Sequence, residues 1–157
     1  MMKKSVWVLF CCVGLFAKDM SIDEMVSQQS IEKEFLIVKT TKVYSEAKKF
    51  VTEFSKRSGI VVDLRGVSYQ KEVGLTPKKE ACLESGFTYP CYIARGRYDD
   101  GVYLSIENSD AYQGFSRGYY VVMAASGEID KKTIQNVKEF ISDSYIKKSM
   151  VYMGCTH

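Results

Sequence analysis

The chain predicts an α+β domain: two βαβ units forming one mainly antiparallel sheet with helices on one face, and an extended central insertion. Three observations predict it. Residues 34–64 and 119–153 share one layout of apolar strand, polar turn, amphipathic helix and short strand. Between them, Val102 to Glu107 alternates apolar and polar side chains, the pattern of a strand with one buried face. Each helical stretch carries its apolar residues on a single stripe, so each has one face to bury.

Taken in order, Lys18 to Lys33 is a polar leader, either flexible or holding a short helix at Ile22 to Val26. Phe35-Leu36-Ile37-Val38 is a strand of branched and aromatic residues. Ser45 is placed to cap the helix that follows, with Ala47, Phe50, Val51 and Phe54 as its apolar stripe and Ser58-Gly59 as its stop. Ile60 to Leu64 is the strand that completes the first unit. Tyr69 to Glu80, with Gly74 and Pro77, predicts an irregular loop. Tyr92-Ile93-Ala94 predicts a short strand, and Asp99-Asp100-Gly101 a turn.

Asn108 to Gly118 is polar, with one helical turn near Ala111, and leads into a strand at Tyr119 to Ala125. Gly127 turns the chain and Asp130 caps the second helix, whose stripe is Ile134, Val137, Ile141 and Tyr145. Met150 to Met153 is the last strand. Two such halves make a ferredoxin-like sheet whose helix-free face is open.

The N-terminus predicts a compartment. Met1-Met2-Lys3-Lys4 is basic, Val6 to Phe16 is apolar apart from Gly14, and Ala17 precedes Lys18-Asp19. This is the layout of a secretory signal over residues 1–17. The apolar run is shorter than the roughly 20 residues a membrane-spanning helix needs. Leu15 departs from the small residue preferred three places before cleavage, and Phe10-Cys11-Cys12 matches a lipid-attachment motif poorly. An uncleaved anchor and a lipoprotein are the alternatives. Cleavage leaves residues 18–33 as leader and 34–157 as one domain, periplasmic or secreted, with no stable membrane span.

Removing Lys3 and Lys4 lowers the basic count from 22 to 20 against 19 acidic residues. That balance excludes a phosphate-tracking nucleic-acid binder, which needs clustered positive charge. Three cysteines remain: Cys82, Cys91 and Cys155. An oxidising compartment favours a disulfide. Of three possible pairings Cys82–Cys91 is preferred, because the segment between them contains Gly86 and Pro90 and can turn back on itself. Cys155 is then either a small buried hydrophobe or a link to another chain.

The stretch Tyr119-Tyr120-Val121-Val122-Met123-Ala124-Ala125-Ser126 opens on aromatic and valine residues and runs into a small-residue turn. Phe35-Leu36-Ile37-Val38-Lys39 follows the same style. On these residues the chain resembles the SPOR domain, the sporulation-related repeat module of bacterial envelope proteins, over about residues 34–154. The insertion at 67–118 departs from that module's compact pattern. The resemblance implies binding of peptidoglycan glycan strands through the exposed sheet face, with no catalytic residue to carry over and no cofactor.

The residues themselves offer little chemistry beyond binding. Cys155-Thr156-His157 supplies two zinc ligands where sites use three or four. The only His is terminal, so a Ser or Cys nucleophile lacks a base. Asp99 with Asp100, or Glu107 with Asp110, are the carboxylate pairs, and turn formation or solvation accounts for both. The candidate ligand-binding set is Arg95, Arg97, Tyr98, Tyr103, Ser105, Glu107 and Tyr112, with Arg117 nearby. Tyrosine rings and planar guanidinium groups suit sugars, carboxylated peptides or a protein partner. Alternation sets Tyr103, Ser105 and Glu107 on one strand face, where stacking by Tyr103 and hydrogen bonding by Ser105, Glu107 and Arg97 would hold a glycan. The expected function is therefore a non-enzymatic envelope-binding domain; the alternative is an interaction subunit of an envelope or secretion complex.

Overall fold

The computed structural model describes residues 21–96 and 98–154. The expected signal over residues 1–17, Arg97, Cys155 and His157 lie outside the described residues. The elements are α1 (Ile22–Gln28), β1 (Ser30–Thr41), α2 (Tyr44–Ser58), β2 (Ser68–Gln70), β3 (Gly74–Thr76), α3 (Lys79–Glu84), β4 (Gly101–Asn108), β5 (Tyr120–Gly127), α4 (Lys131–Phe140) and β6 (Tyr145–Tyr152). Four strands form one antiparallel sheet in the order β4-β5-β1-β6, and β2 and β3 form a separate hairpin. This is the α+β architecture expected.

One face of the sheet packs on the helices. Leu36, Val38, Leu104, Ile106, Val122 and Ala124 from the strands meet Ala47, Val51 and Phe54 of α2 and Val137 of α4. Each large apolar side chain fully buried here contributes roughly 1.5–3 kcal/mol. Gly59 ends α2 in the left-handed region at φ 74° with its N–H on the Ser55 carbonyl, as a C-terminal glycine does. Asp130 caps α4, accepting the Thr133 N–H at 2.6 Å. At α2 the cap is not Ser45. The helix begins at Tyr44, and Thr41 Oγ1 accepts the Val43 N–H and donates to Glu46.

Several expectations are corrected. Strand β1 begins at Ser30, so the end of the expected leader is sheet, and Lys33 is buried within it. Ile60 to Leu64 is not a ladder strand. It makes a single parallel bridge, Val62 to Leu104, through two main-chain hydrogen bonds. The polar turn Asp63-Leu64-Arg65-Gly66 pulls the chain away before a second pair forms. The strand that closes the first unit is β4, about forty residues further on. Residues 69–80 hold the β2–β3 hairpin and the start of α3 rather than an irregular loop, and Tyr92-Ile93-Ala94 is not a strand. Tyr145 belongs to β6, not to the α4 stripe.

The largest correction concerns the helix-free face. It is not open. Phe35, Ile37, Val121, Met123 and Val151 on that face form a second buried cluster with Tyr112, covered by Ala94, Ala111 and Phe115 of the insertion. The sheet is sandwiched between helices and insertion.

Cys82 and Cys91 are joined as expected, with Cα atoms 5.9 Å apart, and both are buried. The bond pins the cover segment to α3, and Thr76 Oγ1 donates to the Cys91 carbonyl at 2.8 Å. Replacing both cysteines by serine is expected to cost roughly 2–3 kcal/mol, the loop-closure value for a link of this length. Chemical melts of the double variant and of the reduced protein, set against the oxidised one, check this. Equal midpoints would show that hydrogen bonding alone pins the segment.

Candidate functional site

The richest cluster of functional groups lies between β4 and the cover segment 93–101. Alternation along β4 does set Tyr103, Ser105 and Glu107 on one face, as the sequence indicates. That face is inside. Ser105 is 0 % and Glu107 2 % exposed, and Tyr112 is also buried. Arg95 is 0 % exposed and is the largest fully buried side chain. Tyr103 is half-buried, with the Arg95 guanidinium 3.7 Å above its ring. Tyr98 stands apart at 91 % exposure. Arg117 is exposed as well. The structure thus brings together Arg95, Tyr103, Ser105, Glu107 and Tyr112, but as an internal network and not as a solvent-facing platform. The physical reason is the insertion, which returns over the face that the compact two-unit layout would leave bare.

Two residues outside the sequence-predicted set complete the network. Arg65 sits at φ 53°, a left-handed position rare outside glycine, with its N–H on Asp63 Oδ1 at 2.7 Å. That turn aims its guanidinium at Glu107 in a bidentate pair, Nε to Oε1 at 3.2 Å and Nη2 to Oε2. The same group donates to the carbonyls of Ile93 and Ala94 at 2.9 and 3.3 Å. Lys33 donates to the carbonyls of Arg95 and Gly96 at 3.0 and 2.6 Å and pairs with Asp100 at 2.6 Å. Arg65 follows an apolar run and could be found only by asking where a charge after Ile60 to Leu64 would point. Lys33 shares its strand face with Phe35 and Ile37, a placement legible once β1 is known to begin at Ser30.

One main-chain atom acts as the hub. The Asp99 carbonyl accepts from Arg95 Nε at 3.2 Å, Tyr103 OH at 3.0 Å and Ser126 Oγ at 2.9 Å. Tyr112 OH donates to Glu107 Oε2 at 2.9 Å and accepts the Arg95 N–H at 2.9 Å. Lys33 pairs with Asp100, and Arg65 with Glu107 and Asp99, while Arg95 is held by the main-chain carbonyls of Asp99 and Gly101 and by the Tyr103 ring. Buried charges persist only when paired and hydrogen-bonded in this way. Where β5 ends, Gly127 has φ +93°, and a Cβ there would lie 2.7 Å from Asp100 Cγ. Glycine is what lets the Asp100 turn seat against the sheet.

The electrostatics of this cluster follow from burial and from its internal pairing. Burial, then the neighbouring Glu107 charge, pushes the Tyr112 phenol well above its ordinary range. Burial acts most strongly on Arg65 and lowers it, but the charge and hydrogen bond of Glu107 together with Tyr112 and Asp99 outweigh it, so its net shift is upward; burial pulls Arg95 down. Tyrosines 44, 103 and 120 are likewise raised by burial. A raised tyrosine holds its proton more tightly when folded, so its contribution is intact below the unfolded value of about 10 and is lost as pH rises beyond it. Stability is therefore expected to fall above about pH 10, and Tyr112→Phe should flatten that fall. Thermal melts from pH 8 to 11 check it; an unchanged slope in the variant would move the effect to the other tyrosines.

One part of the helix-free face stays uncovered. At the end of the sheet a cleft of about 110 Å³ lies among Phe115, Tyr119 and Tyr145, with Thr40, Ser116, Val121 and Lys147 completing its lining. Lys147 Nζ lies 4.8 Å from the Phe115 ring centre, and Lys42 Nζ 5.0 Å from that of Tyr119. Among the described residues no cluster of His, Cys, Asp and Glu is arranged to hold a metal ion, and no helix is long and apolar enough to cross a membrane.

In comparisons with known proteins, no family model, no curated protein and no solved structure matches this chain. What fold and site define is an α+β sheet domain whose insertion is locked over one sheet face by a buried ionic network.

Proposed function

We propose that the chain is an exported, non-catalytic cell-envelope binding domain that takes a carboxylated glycan at the uncovered end of its helix-free face. The strand order supports a ferredoxin-like, distantly SPOR-like ancestry. Reading β1-α2-β4-β5-α4-β6 as one βαββαβ unit puts its second, third, first and fourth strands side by side. The signal-like residues 1–17 and the Cys82–Cys91 disulfide support export.

The observation that carries the ligand reading is the cleft of Phe115, Tyr119 and Tyr145 with Lys42 and Lys147 over its rings. Aromatic faces stack on the apolar faces of sugar rings, and an ammonium group such as that of Lys147 favours a carboxylate. Peptidoglycan glycan freed of its stem peptides carries such a carboxylate on each lactyl group. Tyr103 and Glu107 act in this reading by locking the cover, Ser105 is simply buried beneath it, and the contacts to ligand pass to Tyr145, Tyr119 and Lys147.

Co-sedimentation of the purified domain with isolated sacculi, with and without stem peptides, tests the reading. Retention is expected to strengthen when stem peptides are removed. Tyr145→Ala and Lys147→Ala should each weaken it about tenfold, the equivalent of ~1.4 kcal/mol. Both positions are at least partly exposed, so these variants should fold. No retention, or retention indifferent to both substitutions, would remove the glycan reading.

A further inference from the structure

A groove of about 420 Å³ runs between α1, the disulfide-pinned segment and the second half of β6. Its place differs from that of the Phe115 cleft, which takes Tyr145 and Lys147 from the first half of β6. Val26, Phe87, Ile93 and Met150 bring large apolar side chains to it from three parts of the fold. Phe87 is 51 % exposed and the other three are each 40 % exposed. Apolar side chains that converge on one groove, unlike ones scattered singly, call for an occupant. The groove is built before anything enters it. The Cys82–Cys91 bond, the Thr76 hydroxyl on the Cys91 carbonyl and the Phe87 N–H on the Cys82 carbonyl hold one wall. Pairing of β6 with β1 holds the other. A wall already in place lowers the ordering cost of binding.

The charge of the lining selects the occupant. Of the fourteen described residues around the groove none is charged, in a chain where 26 % of residues are. Two of its hydroxyl groups are already spent within the protein: Ser30 Oγ donates to the Val26 carbonyl at 2.7 Å, and Tyr92 OH to the Val73 carbonyl at 3.0 Å. A protein partner would meet a polar and charged rim, whereas sites for small molecules are mostly apolar. We propose that this groove binds one neutral hydrocarbon chain, the alkyl part of an amphiphile, whose headgroup stays in water. Val26, Ile93 and Val151 give it a branched aliphatic surface, and the unbranched thioether of Met150 can follow the contour of a flexible chain. The inference does not depend on the glycan reading: it uses a different cleft, and its probes contain no sugar.

The test is titration calorimetry of the purified domain with hexyl, octyl and decyl ethers of tri(ethylene glycol), each kept below its micelle concentration. Saturable binding of one chain per domain is expected. Each added methylene should tighten it about fourfold, the equivalent of ~0.8 kcal/mol, until the groove is full. Decanoate and decyltrimethylammonium should bind nearly as well as the neutral decyl ether, because no charge lines the groove. Ile93→Asp should abolish binding with the melting curve retained, and Phe87→Asp serves as the second variant if Ile93→Asp does not fold. Val61→Asp, at a 67 % exposed position beside β4 on the far edge of the sheet, should leave binding unchanged. Flotation with vesicles of phosphatidylethanolamine and phosphatidylglycerol separates the sources of the chain. Co-flotation that Ile93→Asp removes assigns a bilayer lipid, and binding of the free ethers without flotation assigns a soluble amphiphile. Affinity indifferent to chain length, or equal loss in Val61→Asp, would overturn the proposal in favour of general apolar adhesion. Tighter binding of the naphthyl ether than of the decyl ether, at equal carbon number, would overturn the alkyl chain as occupant. Absence of saturable binding by all three ethers would overturn the site itself.

Discussion

Replacing Glu107 by alanine is expected to lower the stability of this domain by about 3–5 kcal/mol, one of the two largest single-residue effects anticipated for it. Glu107 is 2 % exposed and accepts from both the Arg65 guanidinium and the Tyr112 hydroxyl. Its removal leaves Arg65 buried against the Ile93 and Ala94 carbonyls without its principal counter-charge, and orphans the Tyr112 proton. Leaving an uncompensated buried charge is what makes breaking such a pair severe, whereas replacing the pair together is often mild. The variant Arg65→Met with Glu107→Leu is therefore expected to recover much of the loss. Chemical denaturation of the two single variants and the double one, read as a double-mutant cycle, measures the coupling. A coupling near zero would mean that the network is solvated and that the cover opens readily.

Phe35→Ala is the second, with an expected cost of about 3–5 kcal/mol. Phe35 is 0 % exposed on the helix-free face, edge-on to the Tyr112 ring at 5.1 Å between centres. On an open sheet face the same substitution would be nearly neutral, since surface changes away from special features stay within about 0.5 kcal/mol. The size of this loss thus reports whether the insertion covers the sheet in solution. Hydrogen exchange at β1 and β5 would resolve the same question residue by residue, with protection on both strands expected.

Both effects arise from closure of the helix-free face, which the linear pattern only half discloses. The secondary elements are legible because their signals are local. Alternation at Val102 to Glu107, the stripe of Ala47, Val51 and Phe54, Asp130 before a helix and Gly59 after one each act within a few residues. The disulfide is legible for the same reason, since its cysteines lie nine positions apart across a turn. Ile60 to Leu64 misleads because a short, mostly apolar run satisfies a strand and a buried coil alike, and a single bridge to Leu104 is enough to place it.

Closure of the helix-free face does leave a trace in the chain. Phe35-Leu36-Ile37-Val38 and Val121 to Ala125 do not alternate, and every one of those side chains is buried. Continuous apolar runs of this kind belong to strands covered on both sides. Only β4 alternates, and its polar face is turned inward as well, with Glu107 paired to Arg65 and the Tyr103 ring under Arg95, groups brought in from 42 and 8 residues away along the chain.

By itself, then, the sequence determined the class of the fold, the two long helices, most strands, the disulfide and the expectation of export. Those follow from periodicity, capping and short loops, which are properties of neighbouring residues. Tertiary structure alone decided what covers the helix-free face, that Glu107 is a buried anchor instead of a ligand contact, and that Tyr119, Tyr145 and Lys147 share a cleft with Phe115. The reason is that a charged or aromatic side chain looks the same in a sequence whether its partner is water, a ligand or another residue brought near by the fold. Burial and pairing are set by long-range packing, and in this protein a long insertion returning over the sheet settled both.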